Sequence, residues 1–156
     1  MNYDHTDFPH VEKHIAEILA SNESREERAR AVAAEIHAAG EYRWVGIYEV
    51  TPQAVRIVSY SGPGAPAYPT FPRDQGLTGQ MLRTGRSVAV GDVTKDPNFL
   101  AAFSTTRSEM IVPVRVQGEI VGTIDVESER INAFHDADRT WLERIAAKLT
   151  PLFRGP

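Results

Sequence analysis

The sequence predicts an α+β domain: one antiparallel sheet with helices packed on a face. Three observations predict it. Apolar residues recur at helical spacing near both ends, runs rich in β-branched and aromatic residues fill the middle, and short turn signals join those runs in pairs.

The elements follow in chain order. Phe8, Val11, Ile15, Ile18 and Leu19 lie on one stripe, which predicts an amphipathic helix over residues 8 to 20. Ser24 followed by Glu27 is a capping box, and a second helix runs through Val32 and Ile36 to Gly40. The period then changes. "RWVGIYEV" and "AVRIVSYS" read as a hairpin around Thr51-Pro52-Gln53. "GPGAPAYPTFP" reads as a loop. "GLTGQMLRTG" reads as a short helix opened and closed by glycines, and "SVAV" as a short strand. "GDVTKDPNFLAAFSTTR" is a long polar connection with one helical turn expected near Phe99 to Phe103. A second hairpin turns at Gln117-Gly118, and Phe134, Trp141, Leu142, Ile145, Leu149 and Leu152 mark a final helix. The segments are therefore a helical start at about 8–40, a sheet at about 43–128 and a C-terminal helix at about 135–153. The strands of the last hairpin are apolar at nearly every position, so both sheet faces should be covered. The terminal helices cover one face, and the middle connections are left for the other.

Composition narrows the function classes. The length of 156 residues and 42% apolar content suit one domain with one core. No apolar run approaches the ~20 residues of a membrane span. "MNYDHTDFPH" lacks a basic start and apolar stretch, so a cytoplasmic protein is expected. A net charge of −4 without a basic stripe argues against nucleic acid as a partner. The chain has no cysteine, which removes disulfides, thiolate metal sites and thiol nucleophiles together.

The last hairpin carries carboxylates where a core would accept apolar residues: Glu109, Asp125 and Glu127. Asp125 and Glu127 share a face, opposite Ile124 and Val126. A plain two-residue turn pairs Met110 with Asp125 and puts Glu109 on the wrong face, which a bulge at Pro113 would correct. Solvated strand ends and the floor of a site both fit this pattern. Trp44 and Tyr48 likewise read as core aromatics or as pocket walls. No Lys-Ser or Lys-Thr follows the glycines at 76, 79 and 85, so they are read as turns and tight packing, not a phosphate loop. His10 and His14 are four apart on a helix without a third ligand, so a solvated face is favoured and no metal is expected. Ser104, Thr105 and Thr106 have no His-acid pair to activate them and are read as loop hydroxyls.

The ordered passages "GLTGQMLRTGRSVAVGDVTKDPNF", "EMIVPVRVQGEIVGTIDVES" and "FHDADRTWLERIA" resemble those of a GAF domain, from roughly residue 23 to the end. The resemblance implies a small-molecule pocket between the sheet and the middle loops, and end helices that pair into dimers. Within that family the chain is most similar to the free methionine-(R)-sulfoxide reductases. Trp44, Tyr48, Glu109, Asp125 and Glu127 match residues that hold the substrate there, which implies an amino-acid-like ligand. The cysteine positions of those enzymes fall on Tyr68, Thr78 and Ala102, so the resemblance carries the pocket and not the thiol reaction. Glu127 stands where those enzymes usually have Asp. The expectation is a non-catalytic, cofactor-free sensory domain that binds a small polar ligand, forms a homodimer and passes its signal to a separate output protein. Two alternatives stand beside it: an interaction module with a vestigial pocket, and a reductase relative working without thiols.

Overall fold

A computed structural model describes residues 8–40, 42–97, 99 and 103–153. The helices are α1 (Phe8–Ala20), α2 (Arg25–Gly40), α3 (Gly76–Thr84) and α4 (Asp136–Lys148). The strands are β1 (Trp44–Val50), β2 (Val55–Ser61), β3 (Thr70–Phe71), β4 (Val88–Val90), β5 (Ser108–Val116) and β6 (Glu119–Ser128). They form one six-stranded sheet in the order β3-β2-β1-β6-β5-β4, and every neighbouring pair is antiparallel.

The terminal helices behave as their periodicity predicts. Ser24 caps α2 by accepting the Glu27 amide at 3.1 Å. Asp138 does two jobs at the start of α4. It accepts the His135 amide at 2.9 Å, and it accepts the Tyr42 hydroxyl at 2.9 Å, which ties the helix to the entry of β1. α2 and α4 pack on the sheet, and α1 lies chiefly on α2, with a further contact to α4. The core between helices and sheet includes Ile15, Val32, Ile36, Ile47, Val112 and Ile124, all fully buried. Trp141 is spent inside the molecule: its ring stacks on Phe8 at 4.1 Å and is 3% exposed. It therefore offers no surface to a partner chain. His14 lies 2.9 Å from Glu35 of α2, which is how that solvated helix face is used.

The connections differ from expectation in two places. The Pro/Gly-rich loop contains β3, whose two residues pair with Val55 and Arg56. In the long connection the regular element is a 3-10 turn at Val93–Lys95, capped by Asp92 through the Thr94 amide. The turn expected near Phe99 to Phe103 falls mostly outside the described residues.

The second sheet face carries Trp44 and Tyr48 on β1 and Glu109 and Ile111 on β5, with Asp125 and Glu127 of β6 between them. At the β1–β2 end Trp44, Tyr48, Val50 and Val55 form an apolar cluster. At the β4–β5 end Leu77 and Met81 of α3 pack on Val88 and Ile111.

Candidate functional site

The register of the last hairpin builds the site. Val116 pairs with Glu119 and Arg115 with Ile120, and then Val114 pairs with Gly122. Val121 is thus an extra residue on β6, and every later pair is displaced by one. Glu109 comes opposite Glu127, and Ile111 opposite Asp125. The correcting bulge is therefore real, but it lies at Val121 rather than at Pro113. Gly122 beside it allows the chain this path, because a Cβ there would meet the Phe153 ring at 2.4 Å and the Tyr48 carbonyl at 2.7 Å.

Three carboxylates now share one face, and one oxygen from each lies within 4.8 Å of the others. Glu109 is 4% exposed, Asp125 7% and Glu127 1%. These are not solvated strand ends. Water is excluded by the apolar clusters on either side, so the charged forms lose hydration without gaining a cation. Burial raises the Asp125 carboxyl to about 7, while a hydrogen bond from Glu109 pulls the other way. Burial pushes Glu109 well above the carboxylate range, and Asp125 and Glu127 push it further. Burial likewise raises Glu127, as does the Asp125 charge, against the Thr106 hydroxyl, which donates to Glu127 Oε1 at 2.7 Å. Burial and then the three carboxylates raise the Tyr48 phenol. As ionised groups, Glu109 Oε2, Asp125 Oδ1 and Glu127 Oε2 have no partner among the described residues. A proton shared between Glu109 and Asp125 satisfies part of this deficit, and a bound cation would satisfy all of it.

The five residues singled out in the sequence are not equivalent. Tyr48, Glu109 and Asp125 line a cavity of ≈ 20 Å³ together with Tyr68, Phe71, Leu77 and Thr78. Glu127 joins the carboxylate group but is turned toward Thr106. Trp44 is fully buried beside the site, stacked on Tyr60 at 6.2 Å, edge-on to Phe103 at 5.6 Å, with its indole N–H donating to Gly64 O at 3.1 Å. It supports the wall and does not line the cavity. Tyr68 is 47% exposed and stands at the cavity mouth. Tyr68 and Thr78, two of the positions aligned with cysteines, thus both face the carboxylates across this space. Ala102, the third, lies outside the described residues. Thr106 was legible only as a loop hydroxyl; it is 4% exposed and belongs to the site. The larger concavity of ≈ 570 Å³ lies elsewhere, against α4, and touches none of these residues.

The sequence matches the GAF domain family over residues 24–150. The chain belongs to the GAF domain family. Protein YtsP of Bacillus subtilis is 31% identical over 121 residues, 78% of this chain and 74% of that protein. The free methionine-R-sulfoxide reductase of Saccharomyces cerevisiae is 30% identical over 109 residues, 68% of this chain and 60% of the yeast protein. The X-ray structure of the free methionine-R-sulfoxide reductase from Neisseria meningitidis, in complex with its substrate, superposes with a TM-score of 0.84 at 29% identity, covering 94% of this chain and 87% of that one. Membership of the GAF family makes a small-molecule-binding or regulatory role the coarse functional class. No helix among the described residues is long and apolar enough to cross a membrane.

Proposed function

We propose that this GAF domain binds a small amino-acid-like ligand without transforming it, and that Glu109, Asp125 and Glu127 receive the ligand's ammonium. The observation that carries this is the buried trio of carboxylates, mutually within 4.8 Å, each with an oxygen that lacks a partner among the described residues. A compact cation on that site supplies the missing donors and relieves the mutual repulsion. Tyr48 and Phe71, whose rings lie 5.8 Å apart, supply apolar wall for the ligand's side chain. Among its relatives are proteins named as free methionine-R-sulfoxide reductases. Reduction of a sulfoxide by thiols needs a thiolate to attack sulfur and a second thiol to release a disulfide. This chain has no cysteine, and Tyr68 and Thr78 supply neither group.

The test is calorimetry against methionine, its R-sulfoxide, other amino acids and the corresponding amines and acids, paired with a turnover assay. The reading expects binding of ligands that carry an ammonium, none by the deaminated acids, and no reduction of the R-sulfoxide with any thiol donor. Turnover above a buffer blank, in protein free of contaminating reductase, would sink the non-catalytic part.

One observation favours a second reading. The cavity of ≈ 20 Å³ holds about one water molecule. In that reading the pocket is vestigial and the domain acts through a homodimer, in which case no member of the panel binds and light scattering gives a dimer mass. The same oxygen set suits a hard divalent cation, so Mg²⁺ and Ca²⁺ belong in the panel.

A further inference from the structure

The concavity of ≈ 570 Å³ lies where the sheet stops short. β4 pairs only with Glu109–Ile111, so from Pro113 onward β5 is an open edge. The space is bounded by that edge, by Arg86 and Ser87 after α3, and by Arg139, Glu143 and Ala147 on α4. The acid site is not part of it.

Its charge is the reverse of the protein's net −4. Among the described residues three guanidiniums line it, and of these only Arg139 has a carboxylate within ion-pair distance, Asp136 at 3.9 Å. The Arg86 side chain makes no hydrogen bond or ion pair among the described residues; only its backbone amide is engaged, by Thr84. Arg115 donates to the Gly85 carbonyl, which aims its guanidinium across the mouth. Arg139 Nη1 lies 3.9 Å from Asp136, whose side chain is 99% exposed, and Arg139 Nε is buried without a partner among the described residues. A buried, unpartnered guanidinium N–H is an uncommon arrangement that a bound acceptor resolves. The one carboxylate in the lining among the described residues, Glu143, accepts the Ser87 hydroxyl at 2.8 Å. Forked cations around a concavity match phosphate oxygens. The volume falls in the range of small-molecule pockets and exceeds the need of a single inorganic ion.

We infer that this concavity is a second ligand site, for a small phosphorylated molecule whose phosphate is held by Arg86, Arg115 and Arg139. Its occupant is independent of the ligand on the acid trio.

The experiment titrates the full chain with AMP, pyrophosphate, adenosine and citrate by calorimetry at constant ionic strength. AMP and pyrophosphate should bind and adenosine should not. Arg86→Gln and Arg139→Gln should each weaken AMP by roughly tenfold, the loss of one charge-assisted contact. Arg86 is exposed and has no side-chain partner, so its variant tests binding without threatening the fold. Glu143→Gln should tighten AMP, because it removes the opposing charge while keeping an acceptor for Ser87. Asp125→Asn should leave AMP affinity unchanged. Absence of AMP and pyrophosphate binding at millimolar concentration overturns the proposal. So do unchanged affinity in both arginine variants, which places any binding elsewhere, and equal binding of citrate, which removes the assignment to phosphate.

Discussion

Asp125 shows most directly how burial fixes behaviour at this site. Its carboxyl is raised from 3.8 to about 7, so the folded state keeps a proton that the unfolded chain has released. The unfolded state binds fewer protons across that window, and stability therefore falls as pH rises from about 4 to about 7, and stays low above it. Asp125→Asn mimics the protonated form. The variant should melt above the parent at pH 8, by an amount on the order of 1–4 kcal/mol, and the difference should vanish toward pH 4. It should also lose affinity for an ammonium ligand. Thermal melts of both proteins across pH, with calorimetry at pH 8, check this; identical melting curves would mean that the carboxylate is hydrated. Thr106 has the opposite sign. It supplies the one side-chain donor to Glu127 among the described residues, at 2.7 Å. Thr106→Val should cost about 1–3 kcal/mol, because Glu127 Oε1 then stays buried without that donor. Chemical denaturation measures the loss, and an unchanged stability would mean that this hydrogen bond contributes nothing.

At the level of elements, Gly46 decides whether β1 can present its aromatics. The Trp44 and Tyr48 rings close over it: a Cβ at Gly46 would lie 2.3 Å from Trp44 Cη2 and 3.0 Å from Tyr48 Cε2. Gly46→Ala should splay the two rings, cost about 1–3 kcal/mol and weaken ligand binding. Chemical denaturation and the near-ultraviolet aromatic dichroism measure both effects, and an unchanged aromatic spectrum would contradict the geometry. The same strand illustrates what the sequence made legible. Helical spacing, Ser24 and the turns at Pro52 and Gly118 placed α1, α2 and both hairpins, because periodicity and turn chemistry are local. Strict alternation put Asp125 and Glu127 on one face. Glu109 needed the bulge at Val121, and a β-branched residue in an apolar strand carries no mark of being the extra one. β3 was hidden for a related reason: its two residues pair only because β2 is there. Thr106 looked like its neighbours Ser104 and Thr105, and only the tertiary fold turns it inward toward Glu127.

For the molecule as a whole, the two sheet faces differ in how they are covered, and this bears on ligand entry. The helical face is one continuous core that runs from α1 through α2 and α4 to the sheet. The second face is covered by two separate apolar clusters, with the carboxylates between them. The space left there is ≈ 20 Å³, far below the size of an amino acid. Its walls come from unlike sources. Tyr48, Glu109 and Asp125 stand on the central strands, whereas Tyr68, Phe71, Leu77 and Thr78 come from the β2–α3 connection and α3. The central strands are hydrogen-bonded on both sides, but β3 holds its connection by only two residue pairs. Opening should therefore take place at residues 66 to 79, and the sheet should stay intact. Hydrogen exchange on the free protein should show faster exchange across 66 to 79 than across β1 and β6. A saturating ligand on the acid trio should slow exchange in 66 to 79, and at 100 times its Kd should add ~2.7 kcal/mol of global stability. If ligand slows β1 and β6 alone and leaves 66 to 79 unchanged, the β2–α3 segment is not the door, and entry must run from the Thr106 side of Glu127.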